Sequence, residues 1–210
     1  MTNCDIIYDK FVGNIKEIKM SYKVEVGISN KHLHLSDADL AKLFGAGHKL
    51  TVKKTLKQPG QFAAEEVVDV VGPKGTLKGI RVLGPTRKES QVELAMTDAR
   101  QIGLTLPIRE SGQLDGSPGV KLIGPAGEIE LSKGAIIALR HIHLSPSQAI
   151  EAGVKDKDWV EVKTSSERSV TFQHVLIRSG DAHTNEFHVD TDEGNAAGIK
   201  NGDLVEIIKK

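Results

Sequence analysis

Internal repetition constrains the fold of this chain more than any other feature of its sequence. The segments SPSQAIEAGVKDKDWVEV (145–162) and TDEGNAAGIKNGDLVEI (191–207) share the pattern Ala-Gly-Val/Ile-Lys-x-x-Asp-x-Val-Glu. This pattern predicts a helix, a glycine that ends it, a turn and a strand, used twice. The hexads KHLHLS (31–36) and RHIHLS (140–145) form a second repeat. Together the two repeats predict two related, β-rich units in one chain.

Short strand-like segments fill most of the remaining sequence. The segment YKVEVGIS (22–29) alternates in polarity, and EEVVDVVGPKGTLKGIRVLGP (65–85) and GVKLIGPAGEIELSKGAIIAL (119–139) each indicate two strands joined by a Gly-Pro turn. Capping residues predict short helices at 36–44 and 145–153, and a third is expected at 191–198. The predicted fold is mainly β, with two β-barrels and short capping helices, because closed barrels leave no exposed strand edges.

Composition excludes several classes of partner and location. The 28 Lys and Arg residues of the 210-residue chain balance its 28 Asp and Glu residues. No overall field therefore attracts nucleic acid or a membrane surface, and neither is expected as a partner. A single cysteine, Cys4, excludes an internal disulfide and fits a reducing compartment. Without a long apolar run or a secretory segment, a cytoplasmic location is expected.

The first twenty residues differ from the rest of the chain. Their apolar side chains fall roughly on one helical stripe, formed by Ile7, Phe11, Val12, Ile15 and Ile18. We expect a helical extension over 1–20. Three interpretations stay open: a helix that caps the body, a docking helix for a protein shell, and sequence added outside the natural protein.

The histidines of the two hexads are spaced for metal binding. Residues i and i+2 of a strand point to the same face, so His32 and His34 project together, as do His141 and His143. Each pair can offer two imidazole nitrogens to one ion. Two such pairs, each at a junction of strand and helix, predict metal binding, either at one shared site or at two. The alternative is a structural module in which these histidines fill barrel interiors.

Each pair needs a third ligand if it is to match the three-ligand pattern of catalytic zinc, which leaves one position open. Glu93 and His188 face away from the apolar side chains of their strands and fit this role. Spacing alone ranks them only slightly above three other acidic residues, which are Glu89, Glu186 and Asp190. The remaining histidines are expected to be exposed to solvent, and they are His48, His174 and His183.

A cluster of basic residues precedes Glu93 in the sequence. Arg87 lies six residues before this carboxylate and can hold a phosphate by a bidentate contact, although an ordinary charged loop is equally compatible. No phosphate-binding Walker loop, dinucleotide fingerprint or Gly-x-Ser-x-Gly motif occurs. Because Cys4 lies in the extension, a covalent intermediate on cysteine is not expected.

Several longer blocks carry a resemblance to a known family. They are VGISNKHLHLS, QPGQFAAEE, IRVLGPTRKESQVE, RESG, GSPG, RHIHLS and DEGNAAGIKNGDLVEI. In this order and over about residues 23–208, the chain resembles the PduL-type phosphotransacylases, also called phosphate propanoyltransferases. The resemblance implies two β-barrels with two zinc ions per chain, and the interconversion of acyl-CoA plus phosphate with acyl phosphate plus CoA.

The resemblance also assigns residues to roles. It implies a first zinc on His32, His34 and Glu93, whose open position takes the CoA sulfur, and a second zinc on His141, His143 and His188. It implies that Arg87 binds phosphate. The positions implied for CoA are Ile28, Ser29, Asn30, Lys54, Lys74, Arg81 and Asn195.

Domain organisation and partners follow from the same resemblance. Residues 21–30 and 139–210 are expected to form one barrel, and residues 31–138 the other. A homodimer is expected, and the extension is a candidate for docking to a bacterial microcompartment shell. A zinc-dependent hydrolase that activates water with the same metals remains the alternative enzyme. Because one methylene gives only modest discrimination, the sequence does not separate propanoyl-CoA from acetyl-CoA.

Overall fold

A computed structural model describes residues 22–208 of the chain. The predicted helical extension (1–20) and Cys4 lie outside the described residues. Within them the polypeptide forms fifteen strands and four short helices. The predicted fold class, mainly β with short capping helices, is confirmed.

The strands and helices follow one another along the chain with short connections. In chain order they are β1 (Tyr22–Ser29), β2 (His32–His34), α1 (Asp37–Phe44), β3 (Val52–Thr55), β4 (Phe62–Gly72), β5 (Gly75–Gly84), β6 (Gln91–Glu93), α2 (Met96–Gln101), β7 (Ile108–Arg109), β8 (Val120–Ile123), β9 (Glu128–Leu131), β10 (Ala135–Ala138), β11 (His141–Leu144), α3 (Pro146–Ala152), β12 (Trp159–Lys163), β13 (Thr171–Ser179), β14 (Glu186–Asp190), α4 (Thr191–Ala197) and β15 (Leu204–Ile208).

Six strands close into a barrel in the order β1-β14-β11-β13-β12-β15. Strand β1 closes it by pairing parallel with β14 and antiparallel with β15. Alternation along the strands turns apolar side chains inward, where Phe187, Ile142 and Leu144 are fully buried. This barrel joins the first strand of the chain to its C-terminal part.

The other nine strands form a second sheet, in the order β7-β10-β6-β2-β5-β4-β8-β9, with β3 paired to β4. This sheet curls around its own core, where Leu33, Leu35 and Ile102 are completely buried. It is not closed, since its end strands β7 and β9 do not pair with each other. We call the two bodies the barrel and the curled sheet.

Helices α1, α3 and α4 lie where the sequence signals indicate them, whereas no helix was predicted at α2. Ser145 and Asp190 each form a capping box at the start of α3 and α4. Both helices end at a glycine in the left-handed conformation, Gly153 and Gly198, each with a φ of 61°. The repeated helix-turn-strand unit is therefore present twice. No helix within residues 22–208 is long and apolar enough to span a membrane.

Polar contacts join the barrel to the curled sheet around one cavity. The Nζ atom of Lys57 lies 2.7 Å from Glu25 Oε2, and Lys157 forms a close ion pair with Glu110. The histidines of both hexads, on β2 and β11, line this cavity.

Candidate active site

The first group of candidate ligands lies at the centre of the curled sheet. Strand β2 pairs antiparallel with β6, and this register places His32 directly opposite Glu93. The Nε2 atom of His32 lies 3.4 Å from Glu93 Oε2, and His34 reaches the same point from the same face of β2. All three side chains are buried. The expected pairing of the first hexad with a distant carboxylate is therefore present as a group that can hold a metal ion.

Backbone carbonyls orient both histidines of this group. The Nδ1 atom of His32 lies 2.8 Å from the carbonyl oxygen of Asn30, and Nδ1 of His34 lies 3.1 Å from that of Leu83. Because a carbonyl only accepts, each Nδ1 carries the proton and donates. The Nε2 lone pairs are then free for a metal ion, which is the tautomer that metal-binding histidines adopt.

The second group forms on the barrel in the same way, from residues that face each other on two paired strands. Strands β11 and β14 are antiparallel, and His141 lies directly opposite His188. The Nε2 atoms of His141 and His143 are 3.0 Å apart, and the His188 ring centroid lies 5.1 and 4.9 Å from theirs. The Nδ1 atom of His143 is buried without a hydrogen-bond partner among residues 22–208. A metal site explains three imidazoles crowded in this way, one of them with an unsatisfied ring nitrogen, better than an apolar core does.

Burial favours the neutral form that metal ligation needs in one histidine of each group, His34 and His141. Burial lowers the pKa of His34 to about 3, and repulsion from His32 and Arg87 adds to the effect. Burial and the neighbouring His188 also lower the pKa of His141 to about 3. These imidazoles are therefore neutral near pH 7.

The pKa of the Glu93 carboxyl group is also lowered, which keeps this group ionised near pH 7. Burial raises its pKa, but interaction with the imidazoles of His32 and His34, a hydrogen bond from Ser111 and the positive charge of Arg87 outweigh burial and lower the pKa to about 2. Neutral imidazoles beside an ionised carboxylate are the donor set that divalent metal ions bind.

Arg87 lies beside the first group and is held there by side-chain hydrogen bonds. Its Nη1 donates to the hydroxyl of Ser111 over 3.0 Å, and Ser111 in turn donates to Glu93 Oε1 over 2.8 Å. Gln91 also donates to both Ser111 and Glu93. Burial lowers the pKa of Arg87, but an arginine pKa begins near 12.5, so the guanidinium stays charged. A fixed positive charge thus stands next to the candidate metal position.

A cavity of about 700 Å³ between the barrel and the curled sheet contains both ligand groups and Arg87. Five of the positions predicted for CoA also line it, and they are Ile28, Ser29, Asn30, Lys54 and Arg81. Lys54 lies on the exposed strand β3, and Arg81 Nη1 donates to the carbonyl oxygen of Ala64 over 2.6 Å. The cavity is large enough for an extended organic ligand.

Two predicted CoA positions lie apart from this cavity. Lys74 lies in the turn between β4 and β5, where its amide donates to the carbonyl oxygen of Ile102 over 3.0 Å. Asn195 is exposed on α4 and does not line the cavity. A different asparagine does so: Asn201 accepts a hydrogen bond from the amide of Ile28 through Oδ1 at 2.6 Å.

The cavity also contains residues that sequence reasoning did not select. Arg178 lies directly opposite His143 in the parallel pairing of β11 with β13 and lines the cavity wall. His183, expected to be exposed, is partly buried with its ring centroid 4.4 Å from that of His143. The other two histidines predicted to be exposed, His48 and His174, are exposed. No local signal in the sequence marks Arg178, His183 or Ser111, since the burial pattern of β13 does not alternate before Arg178.

The three acidic residues that rivalled Glu93 and His188 make other contacts. Glu89 forms an ion pair with Lys133 at 3.1 Å, and Asp190 caps α4 by accepting from the amide of Glu193. Glu186 accepts a hydrogen bond from His188 itself. None of these three belongs to a metal-binding group among the described residues.

The fold and the site together define a β-barrel protein in which two three-residue groups that could hold metal ions and an arginine face one cavity. The sequence model of the phosphate propanoyltransferase family matches residues 25–200. A phosphate propanoyltransferase from Thermotoga maritima is 50% identical over 209 residues, covering 97% of this chain and 100% of the relative. One from Rhodopseudomonas palustris is 49% identical over 90% of this chain and 84% of the relative. One from Clostridioides difficile is 45% identical over 93% and 94%.

These matches extend over nearly the whole of each protein. The chain therefore belongs to the phosphate propanoyltransferase family and is an enzyme, an acyltransferase.

Proposed function

We propose that this enzyme transfers a short acyl group between coenzyme A and phosphate, with propanoyl-CoA or acetyl-CoA as the acyl donor and an acyl phosphate as the product. Two zinc ions per chain are part of the proposal. The observation that carries it is the convergence of two three-residue ligand groups and the Arg87 guanidinium on one cavity. The names of the relatives support phosphate and a propanoyl group as the substrates.

The proposed first zinc binds His32, His34 and Glu93, and the second binds His141, His143 and His188. Nitrogen and carboxylate donors in sets of three match zinc sites that keep one position open. The free Nε2 atoms of His32 and His34 and the close approach of the Nε2 atoms of His141 and His143, 3.0 Å apart, support this assignment. When bound, zinc supplies a Lewis acid for the thioester carbonyl and a soft partner for sulfur.

Phosphate binding is assigned to Arg87, with Arg178 as a second positive charge on the cavity wall. A guanidinium presents a planar pair of donors to phosphate oxygens. Arg87 keeps Nη1 on Ser111, so its orientation is fixed before substrate arrives. Arg178 contacts Glu110 only loosely, at 3.6 Å from Nε. Two arginines from the two bodies suit a substrate and a product that both carry phosphate charge.

Coenzyme A is assigned to the wall formed by the end of β1 and the start of β2. The backbone at Ile28, Ser29 and Asn30 lines the cavity together with Lys54 and Arg81, and the two cations suit the phosphates of CoA. For Lys74 and Asn195 the resemblance of the sequence is the sole support.

Transfer is proposed to be direct. Arg87 orients a phosphate oxygen towards the carbonyl carbon of the thioester, which brings the two reactants together in one cavity. The new bond joins that oxygen to the carbonyl carbon, and the carbon–sulfur bond breaks to release the CoA thiolate. No nucleophilic side chain of the described cavity wall is needed, and acyl-enzyme formation is not part of the route.

Release of free thiol from propanoyl-CoA and acetyl-CoA, measured with and without inorganic phosphate, tests this proposal. We expect thiol release that depends on phosphate and that is lost in the Arg87→Ala variant. Equal release in the absence of phosphate would instead identify a zinc-dependent hydrolase. A protein that binds no zinc and releases no thiol even when zinc is supplied would favour a structural module.

The organisation of the chain beyond the site also stays a proposal. We propose that residues 21–30 with 139–210, and residues 31–138, act as two units that enclose the cavity. Assembly as a homodimer, location in the cytoplasm or in a bacterial microcompartment, and shell docking through residues 1–20 remain predictions.

A further inference from the structure

His188 is oriented differently from the other candidate ligands. His32, His34 and His141 each donate from Nδ1 to a backbone carbonyl, the last to Leu139 at 2.7 Å. The ring of His188 instead has its Nε2 atom 2.8 Å from Oε2 of Glu186, two residues earlier on β14. Its orientation therefore depends on a side chain.

The chemistry of this contact fixes the tautomer of His188. An ionised carboxylate only accepts, so His188 Nε2 carries the proton and donates it to Glu186. The Nδ1 lone pair is then the ring nitrogen available to a metal ion. A carboxylate behind a metal-binding imidazole orients the ring and increases its basicity.

Glu186 is itself held by the other body of the molecule. Gln58, in the loop between β3 and β4 of the curled sheet, donates from Nε2 to the same Glu186 Oε2 over 2.8 Å and to the carbonyl oxygen of Thr184 over 3.1 Å. Its Oε1 accepts from the amide of Thr184 at 3.2 Å. Gln58 is 2% exposed, so its own side chain is shielded from water.

Strand β1 leaves room for this arrangement because Gly27 has no side chain. A Cβ atom at Gly27 would lie 2.7 Å from Glu186 Oε1 and 2.9 Å from His188 Cδ2, both shorter than a normal contact. The backbone at Gly27 therefore packs directly against the carboxylate of Glu186 and the imidazole of His188.

We propose that Glu186 is the positioning residue of the second metal site, holding His188 in its metal-binding tautomer, and that Gln58 anchors Glu186 from the curled sheet. The packing of the two bodies is thereby coupled to the affinity for the second zinc ion. This inference rests on the proposed function, since it takes the group of His141, His143 and His188 as a zinc site.

Competition with a chromophoric zinc chelator tests the inference, because it measures each zinc dissociation step without reference to activity. In Glu186→Gln we expect one zinc to be held about 10-fold to 100-fold more weakly, the range for loss of such a supporting contact, while the other is unchanged. Gln58→Ala keeps the pair of Glu186 and His188 but releases its anchor, and should weaken the same zinc by roughly fivefold, the scale of one net hydrogen bond.

A double variant separates coupling from general destabilisation. If Gln58 acts through Glu186, adding Gln58→Ala to Glu186→Gln weakens the zinc no further than Glu186→Gln alone. Lys157→Gln is the matched control, because it removes a charge that also bridges the two bodies, in its ion pair with Glu110, but does not act on Glu186. It should leave both zinc steps unchanged.

Three results would overturn the inference: a Glu186→Gln chelator curve that matches the wild type, equal weakening of both zinc ions, or additive effects in the double variant. A wild-type protein that binds no second zinc would refute the metal assignment of the proposed function, and this inference with it. A wild type with two zinc ions and phosphate-dependent transfer, but no effect of Glu186→Gln or Gln58→Ala, would refute this inference alone.

Discussion

Arg87 donates a hydrogen bond from Nη1 to the hydroxyl of Ser111 across 3.0 Å, and this contact ties the proposed phosphate ligand to the first metal group. Ser111 belongs to the loop after β7 and also donates to Glu93. One hydroxyl therefore sets the distance between the positive charge and the candidate metal ligand.

Replacing Ser111 with Ala should separate these two groups. Since a hydrogen bond to a charged group contributes about 1.5–3 kcal/mol, we expect kcat/KM for phosphate to fall by roughly tenfold or more. Steady-state kinetics with varied phosphate measures the effect, and Ser165→Ala on an exposed loop of the barrel is the control. Unchanged phosphate kinetics would show that Arg87 does not depend on Ser111.

Replacing Arg87 with Ala should remove the oriented charge altogether. We expect the rate of acyl transfer to phosphate to fall by about 10²-fold or more, the scale of losing one preorganised electrostatic contact. Arg87→Lys keeps the charge without the planar pair of donors and should recover only part of the rate. The control is Arg168→Ala, an exposed arginine outside the cavity. A near wild-type rate in Arg87→Ala would require another phosphate ligand.

Replacing one histidine of each group should remove one metal ion at a time. His32→Ala and His141→Ala are each expected to lose one zinc of two, because each leaves only two ligands in its own group. Elemental analysis of the purified proteins measures the zinc content, with exposed His174→Ala as the control. If both variants keep two zinc ions per chain, the ligand assignment is wrong.

The stability of the metal-free protein should depend on pH through its buried imidazoles. Burial lowers the pKa of His34 from 6.5 to about 3, so the unfolded state binds more protons between these values. Stability from this group is fully present above about pH 6.5 and is lost as the pH falls towards 3.

Urea denaturation of metal-stripped protein measures this dependence. The free energy of unfolding should fall by up to about 1.4 kcal/mol per pH unit for each such imidazole. The slope of the free energy of unfolding against pH should be shallower in His34→Gln, whereas His174→Gln should retain the wild-type slope. Parallel curves for wild type and His34→Gln would contradict the account.

The sequence was sufficient to predict the local features of this structure. Each hexad, with its alternating strand, spans only a few residues, and so does each set of capping residues in α1, α3 and α4. Such short-range signals determine local geometry directly. Helix α2 was not predicted, because it has six residues and the residue before it, Ala95, makes no side-chain cap. Weak local signals of this kind carry little information.

The completion of the site depended on strand register. As candidates for the third metal ligand, Glu93 ranked only slightly above Glu89 from spacing alone, and His188 only slightly above Glu186 and Asp190. The antiparallel pairings of β2 with β6 and β11 with β14 place Glu93 opposite His32 and His188 opposite His141. Such pairings join residues far apart in the chain, and a single sequence does not state which strands will meet.

The most direct test of the proposed acyl transfer is to follow the oxygen atoms of phosphate. Propanoyl-CoA is incubated with the zinc-loaded enzyme and phosphate fully labelled with oxygen-18, and the products are analysed by mass spectrometry. Direct transfer predicts propanoyl phosphate that retains every labelled oxygen, formed together with free CoA. Unlabelled propanoate, formed at the same rate whether or not phosphate is present, would contradict the account.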